Sequence, residues 1–501
     1  MRAAIVLFAI AIAILLAPAH AEVGRARVAE GYAERVVAAG LLELPPEAST
    51  AMRTQVRGGR RVGEAGPLDV AVAIPGALAA RLGGPELPDA TVRRALGGAL
   101  VSWLLFATIG SVFFARLYRV HGLKLPAPTA IIATSALLLG TSVLWGARRA
   151  DATLLTTLAL MLLLDELDAA HRIPPRRHAL QVALLGAILA LADTSYATVA
   201  LALALLDVGR RAEKGKRLFG ALAVVLPIVL AYAAHLAWDA RVGLATLPSE
   251  ARVHALFGIL FSTGRSLFVY SPIALLGVLG FARIWGRDRA RAEAIAVAVG
   301  AALISICGRA DWHGDPAFGA PLLIPLLPLF VEPAALMMES ARSWRLGFIA
   351  FAFLGVALQL LGLTVDVEAW PHVVAELRAA TGAPGWFLAP AADIEFVPQL
   401  SPLVGQWTLA RIALGRPMPS DPPFSLVVGS DQADTSKPPA IEAVWTRVRA
   451  KLDRAALRPN LALTIAGPRL VGVQAGAAMF AFFVGAVCLL RARGGPRRRK
   501  V

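Results

Sequence analysis

The stretch "GRADWHGDPAFGAPLLIPLLPLFVEPAALMM", residues 308–338, joins two kinds of sequence that seldom sit together in a soluble domain. Its first part sets Asp311, Trp312, His313, Gly314 and Asp315 side by side. Its second part, from Ala320 to Met338, carries Glu332 as its one ionisable side chain and is long enough to cross about 30 Å of hydrocarbon as a helix. The pair reads as a membrane span entered from a wet loop. The loop itself admits two readings: a turn that only has to reverse the chain, or the mouth of a site that handles a polar substrate.

The same alternation governs the rest of the chain. Its 501 residues are 57% hydrophobic and only 17% charged, with a mean hydropathy of +0.64, a balance that excludes an ordinary soluble domain. Apolar runs of near-spanning length are centred on residues 4–19, 97–115, 127–147, 152–167, 178–192, 195–208, 218–238, 266–282, 292–307, 320–338, 346–364 and 470–490. They predict an all-α, polytopic transmembrane bundle of about 12 spans. Between the short fifth and sixth runs, "ADTSYA" (192–197) reads as a tight polar turn separating two helices.

The formal net charge of +16 points to membrane orientation and not to nucleic acid, because the basic residues gather in alternate short loops. With the N-terminus cytoplasmic, the inside loops hold Arg116, Arg119 and Lys124, then Arg172, Arg176 and Arg177, then Arg210, Arg211, Lys214, Lys216 and Arg217. Arg283, Arg287, Arg289 and Arg291 follow, then Arg342 and Arg345, and finally the tail "RARGGPRRRK". The short outer loops hold only Arg148, Arg149, Arg241, Arg252, Arg265 and Arg309. Both ends are therefore expected inside, with the two long loops on the outer side.

The chain divides accordingly. Residues 1–19 are a first span or signal-like segment, and "AHA" (19–21) offers a cleavage site after Ala21. Residues 20–95 form a first outer loop, in which Val28, Tyr32, Val36 and Ala39 mark an amphipathic interfacial helix. Residues 96–364 are the transmembrane core, 365–469 an outer-face loop region with an amphipathic stretch at 440–457, and 470–501 a last span with a basic cytoplasmic tail. Cys307 and Cys488 fall near opposite faces of this bundle, so a disulfide between them is not expected. No metal spacing, phosphate-cradling glycine loop or nucleophile elbow is present, so no metal or cofactor is implied.

Three pieces in order resemble a known pattern. They are "GYAERVVAAGLLELPP" with "GGRRVGEAGPLDVAVAIPGALAARL" after the first span, "LFSTGRSLFVYSPIALLGVLGF" (260–281), and "DWHGDPAFGAPLLIPLLPL" (311–329). A fourth, "VPQLSPLVGQW" (397–407), is similar to a later part of it. Together they resemble the C-type superfamily of polytopic membrane glycosyltransferases. The resemblance implies a sugar taken from a polyprenyl-phosphate donor, whose lipid tail lies in the bilayer, and moved to an acceptor at the outer face. It also implies a carboxylate of the first outer loop as general base and basic residues around the departing phosphate.

Carried onto this chain, the base falls to Glu22, with Glu30 and Glu34 behind it on one helix face. The same glutamates also read as the solvated side of an interfacial helix, balanced by Arg27 and Arg35. Arg265, Arg309, Trp312, His313 and Asp315 are the expected phosphate and substrate contacts. The family pattern expects arginine at two positions that here hold Pro321 and Asp193. These departures leave open a degenerate relative that binds a lipid-linked sugar, or assists envelope assembly, without catalysis. A secondary transporter is the third class, although no inverted repeat favours it. Glu332-Pro333 is expected to break its helix near the inner interface, and Asp165, Glu166 and Asp168 to form a solvated helix end.

Overall fold

The apolar runs fold as helices, and polar or small residues set where each stops. The computed structural model describes residues 55–57, 60–62, 65–81, 90–119, 124–147, 151–169, 173–211, 217–239, 249–309, 312–314, 318–364 and 400–413, with positions 33, 37, 370, 371, 373, 374, 396 and 446. The first and last expected spans, the 440–457 stretch apart from Thr446, and Val28, Tyr32, Val36 and Ala39 lie outside these residues.

Ahead of the bundle, β1 (Gln55–Arg57) and β2 (Arg60–Val62) pair antiparallel, with Val56 opposite Arg61. Helix α1 (Pro67–Arg81) follows. Its apolar side, with Val70, Ala73 and Ala77, packs with Ala33, Val37 and Trp238. The bundle continues through α2 (Ala90–Arg119), α3 (Ala127–Leu139), the one-turn α4 (Val143–Gly146) and α5 (Thr153–Asp168). Then come α6 (Pro175–Ala192), α7 (Thr194–Arg211) and α8 (Arg217–Asp239).

The turn between α6 and α7 has a definite cause. Asp193 adopts an extended conformation, φ −159° and ψ 141°. Its Oδ1 accepts the Ser195 amide at 2.8 Å, so the carboxylate caps the new helix as it starts.

Helix α9 (Ser249–Phe261) is too short to cross a bilayer. It leads through α10 (Leu267–Tyr270) and the Ser271-Pro272 step into α11 (Ile273–Arg287) and α12 (Arg289–Cys307). The run that opened this reading begins as a 3-10 helix (Pro321–Leu326) and becomes α13 (Leu327–Met338). The last described elements are α14 (Arg342–Thr364) and α15 (Pro402–Ala413).

Five described helical segments are long and apolar enough to cross a membrane: Val101–Tyr118, Ala221–Trp238, Arg289–Cys307, Pro321–Met338 and Arg342–Gly362. Their burial sorts them. Pro321–Met338 is 89% buried and forms the central post, while Ala221–Trp238 and Arg342–Gly362 are 22% buried and lie at the periphery. Lipid supplies little hydrophobic drive between helices, so close packing depends on small residues. Gly277 and Gly280 of α11 seat the backbone of α13 at Phe330 and Pro333. Gly140 and Gly355 do the same where α3 meets α14, and a Cβ on Gly140 would lie 3.0 Å from the Ala352 carbonyl oxygen.

Two expectations are corrected at the arginine-rich end of the bundle. Helix α13 does not break at Glu332-Pro333 but runs through it. Glu332 is fully buried, with Arg116 Nε 3.0 Å from its Oε2 and Arg291 donating Nη2 to the same oxygen at 2.9 Å. Nor do Asp165, Glu166 and Asp168 form a solvated terminus. Asp165 pairs with Arg116 at 3.2 Å, and Asp168 pairs with Arg291. Glu166 lies 3.3 Å from His178 Nδ1, whose Nε2 meets Asp207 at 2.9 Å. Arg116 and Arg291, expected in loops, are buried because these carboxylates compensate them.

Candidate functional site

At the opposite end, where the 308–321 segment joins the bundle, four elements line a narrow cleft of about 40 Å³ that opens to solvent. That volume is far below the range of enclosed small-molecule sites, so the cleft is a partial wall and not a closed pocket. Its walls come from the start of α1 (Asp69), the start of α5 (Asp151, Thr153, Thr156), the α6–α7 turn (Asp193, Tyr196) and the 3-10 helix (Pro321, Leu322, Pro325).

Backbone amides fix the carboxylates in place. Asp69 Oδ2 accepts the Gly66 amide at 2.8 Å and Oδ1 accepts the Ala152 amide at 2.7 Å, so one side chain ties the start of α1 to α5. Asp151 Oδ1 accepts the Thr153 amide at 3.0 Å at the head of the same helix. Around Gly66 the fit is close: a Cβ there would lie 3.2 Å from the Ala192 carbonyl oxygen. Trp238 Nε1 donates to the Ala65 carbonyl at 2.6 Å, and His235 Nδ1 lies 3.1 Å from the Ala190 carbonyl, as a buried, hydrogen-bonded histidine.

Asp193 has a second task. Arg309 Nη1 donates to both its oxygens, at 2.8 and 3.0 Å, and approaches Thr194 Oγ1 at 3.2 Å. Tyr196 then donates its hydroxyl to the Leu322 carbonyl at 2.7 Å and pins the 3-10 helix as the lip of the cleft. The described wall thus carries three nearly buried carboxylates, one of them paired with Arg309, beside threonine and tyrosine hydroxyls. Such a wall is rich in acceptors and suits a ligand that brings hydroxyl or ammonium donors. Among the described residues, no group of three or more His, Cys, Asp or Glu is placed to hold a metal ion.

The expected site residues divide. Glu22, Glu30, Glu34 and Asp315 lie outside the described residues. Arg309 reaches the cleft through Asp193. Arg265, in the turn after α9, donates its amide to Ser262 Oγ at 3.0 Å and its Nη1 to the Gly319 carbonyl at 3.3 Å, two residues before the lip begins. Trp312 and His313 face another way. The Trp312 ring packs over Gly258 of α9, 6.1 Å from Phe396 and edge-on to His313 at 5.8 Å. Trp312 is therefore a packing residue that anchors the segment.

The turn at the head of the motif is made by two glycines in the left-handed region, Gly314 at φ +69° and Gly319 at φ +103°. A Cβ on Gly314 would lie 2.7 Å from Pro321 Cγ, so the residue standing where arginine was expected closes the turn instead. Asp69, Asp151, Thr153, Thr156 and Tyr196 were not among the expected site residues. The signal that marks two of them is an aspartate beside a helix start, a pattern that also describes any capping residue.

No family model matches the chain, and no curated protein matches it. Among solved structures, the crystal structure of ArnT from Cupriavidus metallidurans in the apo state aligns with 97% of this chain and 76% of that chain, at 15% sequence identity and a TM-score of 0.42. The chain is similar to that protein along most of its length, and the similarity transfers no residue role.

Proposed function

We propose that this chain is an integral membrane glycosyltransferase-like protein that moves a sugar from a polyprenyl-phosphate donor to an acceptor at the outer face of a bacterial inner membrane. The observation that carries the reading is the cleft wall: Asp69, Asp151 and Asp193 with Thr153, Thr156 and Tyr196, at the foot of the Trp-His-Gly segment. An acceptor-rich wall of this kind suits the hydroxyl groups of a sugar.

In this reading Glu22, with Glu30 and Glu34 behind it, takes the proton of the acceptor hydroxyl as that oxygen attacks the anomeric carbon. The bond from that carbon to the phosphate oxygen breaks, and the phosphate leaves with the electron pair. Arg265 and Arg309 hold the leaving phosphate, and Asp315, an acceptor only, is left to the hydroxyl groups of the sugar. Asp69 is a positioning residue, because both its oxygens already accept backbone amides.

A second reading is favoured by one observation. Arg309 is committed to Asp193, and Asp193 and Pro321 occupy the two positions where the family pattern expects arginine. A chain so altered binds a lipid-linked sugar, or assists envelope assembly, without turning it over. Mass spectrometry of lipids that co-purify in mild detergent tests both. Enrichment of a polyprenyl phosphate or its glycosylated form supports a donor site, and transfer by the purified protein then separates enzyme from binder. If only bulk phospholipid is found after polyprenyl-phosphate sugars have been added, both readings lose their support. Uptake driven by an ion gradient in proteoliposomes would then become the measurement of choice.

A further inference from the structure

The surface of α11 changes character along its length. Leu275, Val278 and Leu279 are exposed on one side of it, and Trp285, 43% exposed, continues toward its far end. Arg283 and Arg287 flank that tryptophan four residues apart, both exposed. From Leu275 to Arg287 the helix rises about 18 Å, close to one leaflet of a hydrocarbon core ~30 Å thick.

The charges at this end do not cancel. Glu293 is engaged by Arg210 at 2.9 Å and by Arg289 at 3.0 Å. Asp288 accepts the Arg291 amide at 3.1 Å as the cap of α12. Arg289 also lies over the Trp285 ring, with its guanidinium carbon 5.5 Å from the centroid. Arg283 and Arg287 form no ion pair among the described residues. Arg283 and Arg287 continue the Leu275–Leu279 row at four-residue spacing, while Trp285 lies on the other edge of the apolar face, in line with Val278.

We propose that this end of α11 binds the headgroup of an anionic phospholipid, with one acyl chain lying along Leu275, Val278 and Leu279. The phosphodiester takes donors from Arg283 and Arg287, and Trp285 sits at headgroup depth, where its amphipathic ring is favoured. A nucleic acid or an acidic peptide would use the arginines and leave the apolar face without a partner. The site lies at the other end of the bundle from the cleft and does not depend on the sugar-transfer reading.

The test is native mass spectrometry of the full-length protein released from nanodiscs holding equal amounts of phosphatidylglycerol and phosphatidylcholine with the same acyl chains. The wild type should retain phosphatidylglycerol in preference, and R283Q/R287Q should retain it roughly tenfold less. Single variants R283Q and R287Q, each with a smaller loss, serve if the double variant does not fold. Equal retention of the two lipids by the wild type, or undiminished phosphatidylglycerol retention by the variants, overturns the proposal.

Discussion

Arg291 and Glu332 form a two-point pair in which neither residue is exposed: Nη2 donates to Oε2 at 2.9 Å, and Nε donates to Oε1. The pair joins α12 to α13, and Arg116 adds α2 through the same carboxylate at 3.0 Å. Two arginines that sequence places among the topogenic charges are therefore internal and structural, which leaves orientation to the exposed ones.

Removing that carboxylate leaves two buried guanidinium groups poorly compensated. Glu332→Gln is expected to cost about 3–5 kcal/mol, read as a lower midpoint of thermal unfolding in detergent. A midpoint equal to the wild type would show that Asp165 and Asp168 suffice by themselves.

Asp193 combines a helix cap with an ion pair, and the two roles separate by substitution. Asp193→Ala should cost roughly 2–4 kcal/mol, and Asp193→Asn less, because asparagine also caps. A double-mutant cycle with Arg309→Ala, measured by unfolding, is expected to give a coupling above about 1 kcal/mol. Coupling near zero would release Arg309 from Asp193 and return it to the phosphate role.

Gly314 meets two constraints at once: a positive φ and contact with Pro321. Gly314→Ala should destabilise the protein by about 1–2 kcal/mol. Gly314→Ala combined with Pro321→Ala should recover part of that loss by removing the contact. If the double variant is no better than the single one, the strain lies in the backbone alone.

The two halves of the proposed chemistry should fail differently. Arg265→Ala is expected to lower the amount of polyprenyl phosphate that co-purifies, and Glu22→Gln to leave it bound while abolishing sugar transfer. Lipid content and transfer, measured on the same preparations, check this. Loss of lipid in Glu22→Gln would move that residue from the base to donor binding.

The helices were legible in sequence because spanning length and turn chemistry are local properties. "ADTSYA" announced its own break, since an aspartate before Thr-Ser is a cap wherever it occurs. What escaped was pairing over long sequence distance. Glu332 looked like a helix break because its partners, Arg116 and Arg291, come from two other helices, and a proline follows it. The cleft was half legible: the motif led to its lip at Pro321, whereas Asp69 and Asp151 read as ordinary helix starts. Only the folded arrangement brings them onto one wall.

Gly277 and Gly280 leave no side-chain layer between α11 and α13, so this seam cannot absorb a shift by repacking. The two helices behave mechanically as a single shaft. One end of it carries the lip that Tyr196 holds, and the other carries Trp285 with its arginines. The lip of the cleft and the Trp285 end of the bundle are thus joined through direct backbone contact and no flexible side chains.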